Sequence, residues 1–446
     1  MSALDRRTLL RGLGVAGASA LALPGLAAAA PDLTFRIRHQ YRPFDLIAPG
    51  FAGGDRPVAP FCAVTLRASG AVAAGLVGPG TAVRGRFAAG VASIEVTVGG
   101  VTTVVASGAA TLPAEFGFAV VVNENAVTVL ADTGSGWQPL LTERDGVRAL
   151  IDLRDPAVLR RLRYGHEGSA SRVRSGYYGY AGVRDPHVVQ YADGRPYVRD
   201  GKLYLTLTCA GLGFFQQAHW GVFTLDLRDP TRLEQVAQLY FARDGLVLGD
   251  HAGQIVVDGD SYLLAMSSWG DFDFAGVHIR YVRTSRDVLH GVHVLPTSRL
   301  PLPTTVSSWD PAMTRIDGQW HVAFVESPAQ SPAFVFHPAL ARGRSLTGLS
   351  LVGADLTVDQ TEGTIIQRLG REWYVLASDG DARVYKVYDL RMRLQGTLDA
   401  PYGTNIPHPM VVPVHGKHWL LTFDGTQYAE PVLGYGGHGD FIVMTT

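Results

Sequence analysis

Val183-Arg184-Asp185-Pro186-His187-Val188, Trp309-Asp310-Pro311 and Thr361-Glu362-Gly363 decide how this chain reads, because each sets a carboxylate ahead of an apolar run. Two more segments, Asp250-His251-Ala252 and Pro407-His408-Pro409, keep step with them. A glycine follows eight residues after His251, Asp310, Glu362 and His408, at Gly259, Gly318, Gly370 and Gly416. Beyond each glycine comes a second apolar run: Tyr262-Leu263-Leu264-Ala265, Trp320-His321-Val322-Ala323, Trp373-Tyr374-Val375-Leu376 and Trp419-Leu420-Leu421-Thr422. In the first repeat Asp185 reaches Gly201-Lys202-Leu203-Tyr204-Leu205 only after sixteen residues, as an eight-residue insertion over Gln190 to Tyr197 would require. A strand, a glycine turn and a second strand make a β-hairpin. Five such hairpins at intervals of 66, 59, 52 and 46 residues predict radial repetition, a five-bladed β-propeller. The first strand of a blade lines the central channel, so Asp185, Asp310 and Glu362 are expected to converge at its mouth.

Working outward, residues 31–165 differ in style. They carry short alternating runs such as Ser93-Ile94-Glu95-Val96-Thr97-Val98 and Ala126-Val127-Thr128-Val129-Leu130, separated by the turns Gly99-Gly100, Asn123-Glu124-Asn125 and Gly134-Ser135-Gly136. That pattern predicts an N-terminal β-sandwich-like accessory domain and an all-β chain. Asp155-Pro156 reads as an N-cap and first position of a short helix. The Gly-, Ser- and Tyr-rich residues 166–182 read as a linker, and 183–446 as the propeller. The fourth strand of the fifth blade would have to come from the start of the propeller segment.

Residues 1–30 contain Asp5-Arg6-Arg7-Thr8-Leu9-Leu10-Arg11, a weakly apolar stretch and Ala27-Ala28-Ala29-Ala30. This is the pattern of a twin-arginine signal peptide, so a secreted, extracytoplasmic protein with no membrane association after cleavage is expected. Cys62 and Cys209 are the only cysteines; they read as buried thiols, with a disulfide the alternative that compartment permits. With 39 basic and 40 acidic side chains, nothing in the charge favours nucleic acid or anionic lipid. Neutral partners such as poly- or oligosaccharides suit that balance, and a monomer is expected.

Asp-Pro pairs also occur at Asp155 and Asp229, where they read as turn chemistry, so register with the repeat is what singles out Asp185 and Asp310. Glu362 is a poor turn former. At a crowded channel mouth its carboxyl would be raised by burial and by neighbouring acids, which suits a general acid. Asp185 would stay ionised as the base, Asp310 would tune the acid, and Arg184 or Arg315 would offset the charge.

On these residues the chain resembles the family 43 glycoside hydrolases and their clan of five-bladed propeller enzymes. The resemblance runs through Asp185-Pro186, Asp310-Pro311 with Asp317-Gly318-Gln319-Trp320, and Thr361-Glu362-Gly363 with Trp373-Tyr374. It implies an Asp base, a pKa-modulating Asp and a Glu acid, catalysing inverting hydrolysis of pentofuranosyl (arabinose-type) or xylosyl glycosides. Thr364 stands where many members have proline, and the accessory domain precedes rather than follows the propeller.

The resemblance also places a channel His beside a calcium ion or a water, and His408 occupies such a slot; a backbone-bonded histidine is the alternative. No cofactor is required on this reading, and no His/Cys cluster suggests a zinc site. Asp250 and His251 are candidates for binding sugar hydroxyls. Trp269, Trp309, Phe214 and Phe215 are candidates for stacking on a sugar face, or for packing between blades. Three other functions stay open. A retaining fructosidase would be expected to carry Asn where this chain has Arg184, a glycoside phosphorylase would need a phosphate pocket, and an inactive carbohydrate-binding propeller would need no Glu362.

Overall fold

The computed structural model describes residues 32–213, 215–270, 276–425 and 439–446, with only the main chain of Phe215 described. The twin-arginine segment and Phe214 lie outside them. Among the described residues no helix is long and apolar enough to cross a membrane.

The chain is all-β, and five sheets built on antiparallel hairpins follow one another as the repeats predict. The third, fourth and fifth have four strands, whereas the first has seven and the second five, each with one added strand in parallel pairing. Their innermost strands are Val183–Val188, His251–Asp258, Ser307–Ile316, Thr361–Leu369 and Met410–Val414. Each is followed by its hairpin partner, for example Gln319–Ala329 after Ser307–Ile316. Apolar layers fill the spaces between successive sheets. Trp220, Leu239, Ile255 and Leu264 pack between the first and second, Val256, Leu263, Met313 and Phe324 between the second and third. Ala323, Leu340, Ile366 and Val375 follow between the third and fourth, and the largest cluster joins the fourth, fifth and first. The inner strands are buried almost throughout although they carry polar residues, whereas their hairpin partners hold the apolar runs such as Tyr262-Leu263-Leu264-Ala265.

The ring closes in an unexpected way. The outer strand of the fifth sheet is Arg36–Tyr41, which pairs antiparallel with Asp440–Thr445, Arg36 opposite Thr445 and Tyr41 opposite Phe441. The propeller therefore does not begin at residue 183; its closing strand lies upstream of the accessory domain, which is inserted between that strand and the first blade. The chain leaves and returns side by side, with Phe44–Asp45 paired to Tyr180–Ala181.

The accessory domain is one sheet folded over itself. Phe61–Gly78 pairs through its first half with Glu115–Asn123 and through its second with Thr81–Ala88. The supposed linker is structured: Arg163–Tyr177 is a fifteen-residue strand running along Phe61–Gly78. Its glycines serve close approach rather than flexibility. Gly168 has φ +95° and a Cβ there would lie 2.3 Å from the Ala71 carbonyl oxygen. The short helix Pro156–Leu159 is capped as read, Asp155 accepting from the Ala157 amide at 2.7 Å.

The two domains share a core. In Glu115–Asn123, Phe118, Val120 and Val122 face the interior of the accessory domain, whereas Ala119 and Val121 face outward with Phe61 against Leu212, Tyr240 and Val247 of the propeller. Phe61 stacks on Tyr240 at 5.3 Å, and the Tyr178 hydroxyl donates to the Ala210 carbonyl at 2.9 Å. Cys62 and Cys209 are free and buried.

Deleting Arg36–Tyr41 would leave Asp440–Thr445 as an unpaired apolar edge, an aggregation template. Such a chain, or one starting at Gly168, is expected to be recovered as aggregates without a cooperative melting transition, as size-exclusion chromatography and thermal unfolding would report.

Candidate active site

Four of the five inner strands break register at the same place, where the strand enters the channel. The shifts fall between Arg184 and His187, His251 and Gly253, Trp309 and Ala312, and Glu362 and Ile365. At each bulge one residue is left-handed: Asp185 (φ 53°), Ala252 (φ 53°), Asp310 (φ 50°) and Gly363 (φ 68°). Bulges re-aim side chains, and Asp tolerates this backbone better than most residues. This equivalence corrects the sequence register by one residue. Glu362 corresponds to Arg184, His251 and Trp309, while Asp310 corresponds to the glycine after Glu362. A side chain at 363 is impossible for a second reason, since its Cβ would sit 2.5 Å from His408 Cγ.

The bulges and the loop before Met410–Val414 bring Asp185, Asp310, Glu362 and His408 together. His408 Nε2 lies 3.4 Å from Asp185 Oδ1 and 3.2 Å from Asp310 Oδ2. Arg184 Nε is 3.4 Å from Asp185 Oδ1, and its Nη2 is 3.7 Å from Glu362 Oε2. The Gly363 amide donates to Asp310 Oδ2 at 2.8 Å, and the Asp310 amide donates to Ser267 Oγ at 2.9 Å. Phe423 supports the cluster from below, with the Arg184 guanidinium 4.5 Å over its ring and the His408 ring edge-on at 5.6 Å. Asp185, Asp310 and His408 are buried; the Glu362 side chain keeps 20% of its surface exposed and is the acid open to solvent.

The electrostatics separate the acids. Burial, then the charge of Asp310, raises Glu362 to about 7, against the opposing pull of Arg184 and His408. Burial also works to raise Asp185, but Arg184, His408, His251 and a hydrogen bond from Thr208 outweigh it and hold this carboxyl below its ordinary value. Burial disfavours a charged His408, yet Asp310 and Asp185 overcome it and raise the imidazole. Arg184 and His408 thus stand between the carboxyls of the cluster, and both pull against the rise of Glu362.

No known family model and no curated protein matches the sequence. Solved structures do. The chain is similar to propeller glycoside hydrolases. A thermostable family-43 glycoside hydrolase aligns at TM-score 0.40 and 12% identity, over 59% of this chain and 88% of that one. The α-L-arabinanase of Penicillium chrysogenum, complexed with arabinobiose, aligns at 0.39 and 11%, over 75% and 90%. A GH43_1 enzyme from Xanthomonas citri, complexed with xylose, aligns at 0.38 and 17%, over 58% and 86%.

The other candidates separate. His251 is buried near Asp185 and Arg184, with its imidazole lowered to about 4 by burial first and then by Arg184. Asp250 faces away from the acids into a closed ion pair, 2.8 and 3.0 Å from Arg243, and accepts from the Gly270 amide at 3.0 Å. Trp309 is 1% exposed among Trp269, Phe334 and Phe336, so it packs between blades and offers no face to a sugar; Trp269, 5.5 Å from it, is half-buried. Arg315 lies at the far end of its strand, 3.6 Å from Asp258. The insertion after Val188 also lies at that far end: Gln190–Tyr191 pairs with Val256 and Val257, and Ala192 accepts from the Arg315 amide. It is therefore held at the end of the inner strands opposite the acids. Calcium binds through 6–8 oxygens. The raised His408, shared between two carboxylates, does not fit a calcium ligand, and among the described residues no group of three His, Cys, Asp or Glu side chains could hold a metal.

The residues least visible in the sequence are Gly363, Ser267 and Thr208, small groups whose role depends on neighbouring blades. Gly363→Ala is expected to cost more than the ~1–2 kcal/mol of a left-handed alanine, because its Cβ also displaces His408. Melting temperature and turnover should fall together.

Proposed function

We propose that the protein is an exported glycoside hydrolase that cleaves pentofuranosyl or xylosyl glycosides with inversion, Glu362 acting as general acid and Asp185 as general base. The observation that carries this reading is the pair of carboxyls with opposed environments at one channel mouth, Glu362 raised to about 7 and Asp185 held low. Two titratable groups driven apart in this way are suited to acid and base roles at neutral pH. The sugar class rests on the resemblance carried by Asp185-Pro186, Asp310-Pro311 and Glu362-Gly363, and export on the twin-arginine pattern.

In the reaction, Asp185 accepts a proton from water as the water oxygen attacks the anomeric carbon. The bond to the leaving oxygen breaks while Glu362 delivers its proton to that oxygen. Asp310 keeps Glu362 protonated and, with Asp185, holds His408 in place. His408 and Arg184 fix the base as an anion. The guanidinium of Arg184 reaches both catalytic carboxyls, at 3.4 and 3.7 Å. Inversion requires the base and acid to stand ~6.5–9.5 Å apart, with the attacking water between them.

Glu362→Gln and Asp185→Asn are each expected to lower turnover by ~10²–10⁴-fold on nitrophenyl pentosides or pentose polymers. Proton NMR of the first product should show the anomer opposite to that of the substrate; retention, or an adduct trapped on Asp185, would overturn the mechanism.

The pH profile should be bell-shaped. Its alkaline limb is expected near pH 7, where Glu362 loses its proton, and its acidic limb below the ordinary Asp range, where Asp185 gains one. His408→Gln removes a cation that lowers both carboxyls, so both limbs should move to higher pH. Asp310→Asn removes an anion that raises Glu362, so the alkaline limb should move to lower pH.

A further inference from the structure

A cavity of about 120 Å³ lies where the inserted domain meets the first blade. That is well beyond the ~10–15 Å³ that one water needs. Its walls are polar: Glu124 and Asn125 at a hairpin tip, Arg144 and Arg148 at the helix Asp145–Leu150, Arg154, and Gln216 from the propeller. Glu124 is the one carboxylate of the lining against three guanidiniums. Behind the wall Asp152 clamps Arg154 at 2.8 and 2.7 Å while Asp145 lies 3.1 Å from Arg144, so balance is reached only with these two outer carboxylates. A balanced set of guanidinium, carboxylate and amide groups offers paired donors and acceptors to vicinal hydroxyls and no net attraction to an anion. Gln216 Oε1 is buried and, among the described residues, has no hydrogen-bond partner. Buried acceptors are costly to leave unpaired, and a ligand hydroxyl supplies the missing donor.

The cavity is tied to the catalytic face through Glu124. Its Oε1 accepts from the Gly249 amide at 3.1 Å, while Asn123 Oδ1 accepts from the Leu212 amide at 3.0 Å. Gly249 is two residues, at most about 7 Å of chain, from His251, which lies beside Asp185. We infer that this cavity is a distal carbohydrate subsite, taking an uncharged sugar residue of a chain whose scissile bond lies over Asp185 and Glu362. The inference rests on the glycosidase reading and gives the inserted domain a role in selecting longer substrates.

The test compares wild type, Gln216→Ala, Arg148→Ala and Gln216→Glu on nitrophenyl pentosides and on arabino- and xylo-oligosaccharides of increasing length. Both alanine variants are expected to raise KM for the longer chains, by roughly three- to tenfold for each hydrogen bond lost. Their kcat should be unchanged, as should both constants on nitrophenyl pentosides, and Gln216→Glu should keep much of the preference for length. Equal losses on short and long substrates would mark a structural role and overturn the subsite, and no change on either would mean the cavity holds solvent only. If wild type hydrolyses none of these, the proposed function falls. Calorimetry with the same oligosaccharides then decides the subsite separately: binding that Gln216→Ala weakens sustains it, and absence of binding overturns it.

Discussion

The candidate site depends on one imidazole held between two aspartates. His408 supplies the positive charge that lets Asp185 and Asp310 sit buried and near each other, and Arg184 supplies the second cation. Glu362 is raised by burial first and by the charge of Asp310 second, and the pull of Arg184 and His408 does not cancel them. Buried ion pairs contribute little to stability once desolvation is counted, so this arrangement makes better sense as a means of fixing protonation than as a means of holding blades together.

The backbone makes the cluster possible. A regular strand alternates its side chains between two faces of the sheet, and neither face of a blade points along the channel axis. The left-handed residue at each bulge turns a side chain, or an amide, toward that axis. In the first and third sheets the turned residue is the acid itself; in the fourth it is Gly363, whose amide binds Asp310 while Glu362 one step earlier reaches the opening. The same local distortion therefore yields two buried carboxylates and one exposed to solvent.

Much of this was legible in the sequence because hairpins are local. The glycine spacing marks turns, the apolar runs mark strands, and acids in register with them mark the channel mouth. What escaped depends on partners distant in the chain. The pairing of Arg36–Tyr41 with Asp440–Thr445 leaves no local trace. Glycines such as Gly168 look like flexible linker until the neighbouring strand they accommodate is known. Trp309 stands next to an acid and looks like a sugar platform, yet its ring turns into the layer between blades. Asp250 and His251 are adjacent in sequence but face opposite ways, as strand geometry demands, and only the histidine reaches the acids.

The closing strand also sets an order on synthesis. Gln40 meets Asp440 across 400 residues, so the ring is open at the fifth blade for as long as that strand is still being made. The inserted domain has all its strands much earlier and can fold first, as domains do during translation. Once folded, it holds the start of the chain beside Tyr180–Ala181, close to where the ring will shut. It thus shortens the search for a contact whose loop-closure cost would otherwise fall late. In this sense the inserted domain is a built-in assembly jig, holding the latch strand in place until its mate emerges.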